Sequence, residues 1–268
     1  MSTPDTDQSL PFVVLAGERP GGSPLARAMH VAAGVLVPVD GETALARVFA
    51  ALRASPALGQ GILCGPFAPI VRDSIELQRL LAPGDIHWLA PAAGPAASTV
   101  AALESLERYP ALVTTGDHAL LTAAIVEAFL AKALDAPADL VVGLVPYPLV
   151  IAAYPGTRRT ALRFQDQAYC GSNLFLIRTR EGLKAALFWR QVEALRKRPW
   201  RIARHLGWWT LLRYLTGRLP VAAAMALLSQ RAGCRVGFVE LLAPRAAVDV
   251  DSVADRELAE AILNGKAG

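Results

Sequence analysis

The sequence predicts an α/β fold, a mostly parallel sheet sandwiched by helices, on three observations. Short apolar runs of strand length recur: Phe12-Val13-Val14-Leu15, Gly61-Ile62-Leu63-Cys64-Gly65, Ile86-His87-Trp88-Leu89-Ala90 and Asp139-Leu140-Val141-Val142-Gly143-Leu144-Val145. Such runs suit strands buried on both faces. Stretches of helical periodicity separate them, the alternation that builds parallel sheets. The strands end in Gly-, Pro- and Thr-rich loops carrying isolated charges, which is where open α/β sheets hold their ligands.

The bulk numbers fit this. A chain of 268 residues with 53% hydrophobic residues can bury a sizeable core. We expect one domain over residues 1–268. Residues 1–10 are polar, with no secretory signal, and no run of 18 apolar residues suggests a spanning helix. Cys64, Cys170 and Cys234 form neither a CxxC pair nor an even framework, so they read as reduced core residues of a cytoplasmic protein.

Taken in order, the strand at Phe12 runs into the loop Ala16-Gly17-Glu18-Arg19-Pro20-Gly21-Gly22-Ser23-Pro24. Glycines let backbone N–H groups approach an anion, and Arg19 adds a forked cation. The spacing matches neither the dinucleotide fingerprint nor the P-loop. A phosphate cradle and an ordinary surface loop both remain open on chemistry alone. Residues 42–54 read as a helix with Ala44, Leu45, Val48, Phe49 and Leu52 on one face, and 73–81 as a shorter one. After Pro91-Ala92-Ala93-Gly94 comes a helix over 99–107, for which Ser98 is a candidate N-cap.

The strand Ala111-Leu112-Val113-Thr114-Thr115 ends in Gly116-Asp117. One carboxylate at a strand's carboxyl end is a start for Mg²⁺, which takes one or two carboxylates with phosphate oxygens and water. The alternative is that Asp117 caps a helix over 119–133. Arg158, Arg159 and Arg163 could hold an acceptor phosphate or simply be solvated. A strand at Val236 and a final helix capped by Ser252, with Asp255 in its first turn, close the chain.

Three stretches together resemble the MobA-like nucleotidyltransferases, a superfamily with a GT-A-like fold. Leu15-Ala16-Gly17, Arg19, Pro38-Val39 and Gly41 match its amino-terminal signature, LAGG-x-R followed by LPV-x-G. The Thr115-Gly116-Asp117 segment resembles its central T-x-D-x-P motif. Residues 249–263, beginning Asp249-Val250-Asp251-Ser252, resemble its D-(I/V)-D-T ending. The resemblance implies a metal-dependent nucleotidyltransferase that joins an NMP from a nucleoside triphosphate to a phosphorylated acceptor and releases pyrophosphate. It implies Mg²⁺ (or Mn²⁺) on Asp117 and Asp251, or Asp249 in its place. The nucleotide would lie against Leu15, Ala16, Gly17, Arg19, Gly94, Ser98 and Asp117. Gly171 and Asn173, within Gly171-Ser172-Asn173-Leu174-Phe175, would line the acceptor pocket beside Arg158 and Arg159. Arg19, Asp117 and Asp251 would be the catalytic set. The superfamily's lysine, expected just before Val35-Leu36-Val37-Pro38, is missing: Ala32-Ala33-Gly34 stands there, and Arg27, Arg158 or Arg159 could supply the charge. Without it, a catalytically weak nucleotide-binding protein is an alternative. A GT-A glycosyltransferase is another, disfavoured because the chain's DxD, Asp249 to Asp251, lies near the carboxyl terminus.

Residues 182–230 lie outside that common core and read as a helical insertion. Between Arg178 and Arg218 eleven basic residues stand against Glu181 and Glu193, a local balance of +9 in a chain whose net charge is +4. Trp189, Trp200, Trp208 and Trp209 lie here too, and Pro199, Gly207 and Gly217 divide the stretch into two or three helices. Interleaved Arg and Trp suit an anionic membrane surface, and equally a solvated helical cap. No nucleic-acid motif accompanies the charge, so no nucleic-acid partner is expected. The composition suggests a lipid or lipid-precursor acceptor and a peripheral place on the inner face of the membrane.

Overall fold

The computed structural model describes residues 9–18, 21–194 and 207–266. Its centre is an 8-stranded sheet in the order β10-β7-β9-β6-β1-β4-β5, with β8 pairing to β9 off that path. The strands are β1 (Leu10–Leu15), β4 (Leu58–Cys64), β5 (Ile86–Leu89), β6 (Ala111–Thr115), β7 (Leu140–Pro146), β8 (Leu162–Arg163), β9 (Ala168–Ile177) and β10 (Val236–Glu240). β6, β1, β4 and β5 pair in parallel, as do β7 and β10. β9 runs antiparallel between β6 and β7. A small hairpin of β2 (Pro38–Val39) and β3 (Glu42–Thr43) stands apart.

Helices cover both faces, which is why β1 reads as an unbroken apolar run. On one face α2 (Ala44–Arg53) and α6 (Ala123–Ala133) bury Leu45, Phe49, Leu52, Phe129 and Leu130 against Phe12, Val14 and Leu112. On the other, α5 (Pro95–Leu106) packs Ala102 and Leu103 against Val13, Ile62 and Val113. Alternate residues of β1 therefore face opposite layers.

Several boundaries differ from the sequence reading. The helix expected over 42–54 gives its first two residues to β3, and Thr43 caps it by accepting the Ala46 N–H. The helix expected over 73–81 is α4 (Ile75–Leu81), and a separate helix that was not expected, α3 (Ala68–Asp73), precedes it. Ser74 breaks them with extended backbone and caps α4 through its hydroxyl. Helix α5 begins at Pro95, whose fixed φ suits the first turn, so Gly94 and not Ser98 is the N-cap residue. Helix α6 begins at Ala123 under a Thr122 cap, so Asp117 caps nothing there. Helices α1 (Pro24–Ala28) and α7 (Tyr147–Ala153) were not anticipated; α7 has no side-chain cap. Between β9 and β10 come α8 (Leu183–Ala194), α9 (Trp208–Leu215) and α10 (Val221–Ala232). Gly207 and Gly217 bound α9, as the sequence suggested, whereas Trp200 and Pro199 lie outside the described residues. The last helix, α11 (Val253–Leu263), has the predicted Ser252 cap on the Asp255 N–H. All three cysteines are free and buried.

Candidate functional site

The parallel strands deliver their loops to one end of the sheet. The Ala16 N–H bonds the Cys64 carbonyl, the Gly65 N–H the Leu89 carbonyl, and the Gly116 N–H the Leu15 carbonyl. The first residues beyond β1, β4 and β6 are thus stitched into one rim. Gly116 suits this close packing: a Cβ there would stand 2.9 Å from Leu45 Cδ1 and 3.0 Å from Val35 Cγ1, and these side chains would have to shift. Gly17 lies against the loop after β5, where a Cβ would meet Pro91 Cβ at 3.2 Å. Of the expected nucleotide loop, Leu15, Ala16 and Gly17 reach this rim; Arg19 lies outside the described residues.

Glu18 supplies a feature the sequence reading missed. Its carboxylate turns back across the loop and accepts the Gly34 N–H. Glu18 stands one residue past Gly17, where the LAGG signature has its second glycine, and Gly34 stands where the lysine was expected. At this point the rim carries a carboxylate and not the cation that the resemblance leads one to expect. Arg27 donates to the carbonyls of Gly21 (2.9 Å) and Gly22 (3.0 Å), which holds an exposed guanidinium on the loop.

Asp117 follows β6 directly. Its backbone carbonyl accepts the Val250 N–H at 3.0 Å, tying the carboxy-terminal segment to this end of the sheet. The Asp117 carboxylate accepts the Thr115 hydroxyl at 2.5 Å. Desolvation in its recess pushes its pKa up to about 7; the Thr115 bond opposes this, and the charges of Asp249 and Asp251 add to it. Three carboxyl groups thus gather at one strand end. Asp249 is held by the Arg159 guanidinium and by Asn173 Nδ2 at 3.3 Å, while Asp251 is exposed. His118, next in sequence, turns into the core: it is fully buried and neither ring nitrogen has a protein partner. Burial lowers its pKa to about 4, so it is neutral there.

Arg159 corrects one expectation. Its side chain is only 8% exposed and is clamped between Asp249 and Asp255, the latter at 2.5 Å. It braces the acidic end and is not free to receive an acceptor phosphate, whereas Arg158 and Arg163 are exposed. Asn173 sits in an irregularity of β9, where four residue steps from Gly171 to Phe175 oppose two steps from Leu144 to Val142 on β7. It has φ of +53°, a left-handed conformation that asparagine tolerates better than most residues. The bulge aims its amide at Asp249. Gly171 beside it is exposed, and a Cβ there would meet nothing within 4 Å.

On the far side of the rim, Ser98 is buried inside α5, where its hydroxyl accepts the Ala92 N–H at 3.0 Å and braces the 91–94 loop. The uncapped start of α5 is met instead by Glu193 of α8, whose carboxylate accepts the Ala96 N–H at 3.4 Å. A Cβ on Gly94 would come within 2.8 Å of that carboxylate. The sequence carried no local signal for this contact, which spans 97 positions.

Residues 13–178 match the family model of the MobA-like NTP transferase domain. The chain belongs to that family. It is a nucleotidyltransferase of the MobA-like type. Among solved structures it is similar to a hypothetical transferase from Thermus thermophilus, at 30% identity and a TM-score of 0.75, covering 92% of this chain and 99% of that one. The fold alone is shared with CMP:2-keto-3-deoxy-manno-octonic acid synthetase complexed with CTP (13% identity, TM-score 0.56, 96% and 99% covered). It is likewise shared with 2-C-methyl-D-erythritol 4-phosphate cytidylyltransferase, also from Thermus thermophilus (15% identity, TM-score 0.54, 96% and 99% covered). No curated protein matches the sequence.

The gathered acids fit a hard divalent cation. No group of three or more His, Cys, Asp or Glu side chains among the described residues is arranged as a metal centre. Mg²⁺ does not need one, since it completes its shell with phosphate oxygens and water. Asp117, near Asp249 and Asp251, offers oxygen donors only, the donor type such an ion takes.

Proposed function

We propose that this transferase joins an NMP from a nucleoside triphosphate to a phosphorylated acceptor with release of pyrophosphate, as one domain with α8 to α10 inserted before β10. The observation that carries this reading is the meeting of Asp117 with Asp249 and Asp251 at the rim that also bears the glycine loop. Asp117 and Asp251, with Asp249 as the alternative to Asp251, would hold Mg²⁺ or Mn²⁺. The ion would supply charge neutralisation at the phosphates. The protein's own share is alignment: the 15–19 loop and Gly94 hold the nucleotide, Ser98 acts indirectly by bracing the 91–94 loop, and Arg19 and Arg27 offset phosphate charge. Asn173, Gly171 and Arg158 face the acceptor. Arg159 acts indirectly, by fixing Asp249. The acceptor phosphate attacks the α-phosphorus as pyrophosphate leaves, so one P–O bond forms and one breaks.

The finer reading of the acceptor is a lipid or lipid precursor met at the inner face of the membrane by residues 182–230. Exposed tryptophans in α8 and α9 support it, and no described helix is long and apolar enough to cross a membrane. The test is to follow pyrophosphate with each NTP, Mg²⁺ and a panel of soluble and lipid phosphates. Asp117→Asn should abolish release, a loss of about 10³-fold or more, with an unchanged circular dichroism spectrum. Full turnover in that variant refutes the metal assignment.

A further inference from the structure

We infer that α9 is a membrane-interface helix which lays the acceptor end of the sheet against an anionic bilayer. This rests on the proposed reading that the acceptor is membrane-borne, and gives that reading its surface. The outer face of α9 is apolar: Trp208 is 63% exposed, Trp209 79%, Leu212 50% and Leu215 72%. Trp208, Leu212 and Leu215 fall at i, i+4 and i+7, one stripe of the helix, with Trp209 at its shoulder. Leu211, on the stripe's other flank, and Tyr214, which turns toward the body of the protein, are half-buried. Four large apolar side chains on one short helix are too many to leave in water without a partner.

The partner's chemistry follows from charge. Residues 207–233 contain Arg213, Arg218 and Arg231 and no Asp or Glu, and Arg213 and Arg218 are exposed. An apolar stripe flanked by arginine with indole rings at its edge matches the headgroup zone of an anionic bilayer: the rings settle at the interface and the guanidinium groups pair with phosphates.

The position of α9 gives the contact a purpose. Tyr214 packs edge-on to Phe164 with ring centroids 5.9 Å apart, and the Gln165 N–H donates to the Leu219 carbonyl at 2.9 Å. The Val221 N–H donates to the Asp166 carboxylate at 3.0 Å. These bonds fasten α9 and the start of α10 to the turn between β8 and β9. That turn lies at the site end, since Tyr169 pairs with Pro146, the last residue of β7. The same strand then carries Gly171 and Asn173 to Asp249. A bilayer under α9 therefore faces the acceptor side, and an amphiphilic phosphate could present its headgroup to Asn173 while its chains stay in lipid.

The test uses the whole chain and vesicles of phosphatidylcholine, with or without phosphatidylglycerol, at low and high salt, without nucleotide. We expect flotation with the anionic vesicles, weakened by salt. The double substitution Trp209→Ser with Leu215→Ser should weaken partitioning at least about tenfold, since full insertion of one large apolar side chain is worth about that much. Its melting temperature should not fall, because both side chains are exposed. Hydrogen exchange on vesicles should slow at Trp208–Leu215 and at the β8–β9 turn, but not at residues 55–58 on the opposite end. No vesicle binding by the wild type, or equal binding by the variant, overturns the inference. So does a dimer that the double substitution dissolves, because the stripe would then cover a second copy. Pyrophosphate release is measured separately, so failure to bind vesicles leaves the nucleotidyl-transfer reading standing, and loss of turnover leaves this one.

Discussion

The charge of the nucleotide rim rests on two positions in contact, Glu18 and Gly34. A triphosphate brought to the glycine loop meets the Glu18 carboxylate where the family resemblance leads one to expect a lysine. Two unit charges about 4 Å apart interact by about 1 kcal/mol in water and about 4 kcal/mol at the effective dielectric of a protein surface. Glu18 is half-buried, so its repulsion of a phosphate lies between these limits. Glu18→Gln keeps an oxygen to accept the Gly34 N–H and removes the charge. It should tighten Mg-NTP binding by about 1–2 kcal/mol, roughly 5- to 30-fold in Kd. Gly34→Lys alone should do little. Gly34 has an ordinary φ, but a Cβ there stands 2.9 Å from Ser23 Oγ and 3.2 Å from Glu18 Oε1, so the new ammonium would pair with Glu18. The two changes together should exceed the sum of the singles, in Kd and in kcat. Isothermal titration with each NTP, alongside pyrophosphate kinetics, measures the cycle. An unchanged Kd in Glu18→Gln, or strict additivity, refutes the view that Glu18 and the missing lysine form one electrostatic unit.

Three further outcomes follow from single contacts. Arg159→Ala leaves Asp249 and Asp255 without their shared cation at a nearly buried position and should cost about 3–5 kcal/mol in denaturant unfolding; a loss under about 1 kcal/mol contradicts its bracing role. Asn173→Gly relieves the left-handed residue but removes the amide bonded to Asp249. Its melting temperature should hold while KM for the acceptor rises several-fold, and an unchanged KM argues against an acceptor-side role. The hydrogen bond from Arg235, with help from Thr179, holds the Asp139 carboxyl well below the usual carboxylate range. A depressed folded pKa stabilises above the unfolded value, about 4, and that contribution fades as pH falls through the folded one. Unfolding curves should therefore show stability falling below about pH 4, with a shallower fall in Arg235→Ala; identical slopes in the two proteins would exclude the pair as its source.

The parts of the fold legible in the sequence were those set by local pattern. β1, β4, β5, β6 and β7 announce themselves as apolar runs because they are buried on both faces, and α11 carries its cap four residues before Arg256. Helix ends were less legible where a single residue does two jobs: Ser74 ends α3 and caps α4, and Pro95 starts α5 four residues before its apolar face becomes visible. Helix α7 was missed because its sequence, YPLVIAA, offers no capping side chain and only Val150 is buried. The site divides the same way. Asp117, Asp249 and Asp251 could be picked out because each sits in a short recognisable stretch, and the bond from the Val250 N–H to the Asp117 carbonyl shows how a separation of 133 positions closes to 3.0 Å. Glu18, Arg159 and Glu193 were not legible, or were misjudged, because their partners lie 16, 90 and 97 positions away. No periodicity connects a loop glutamate to a distant backbone N–H. The one sequence signal available was negative: a glutamate in a glycine's place and a glycine in a lysine's place are each ordinary alone, but two departures from one phosphate-binding signature invite the question whether they touch. They do, and the same question applies to Glu193, the second of only two acids in the basic 178–218 stretch, which lies on the start of α5. An acid retained among eleven cations is a candidate for a specific partner, and here the partner is the uncapped helix end beside the candidate nucleotide loop.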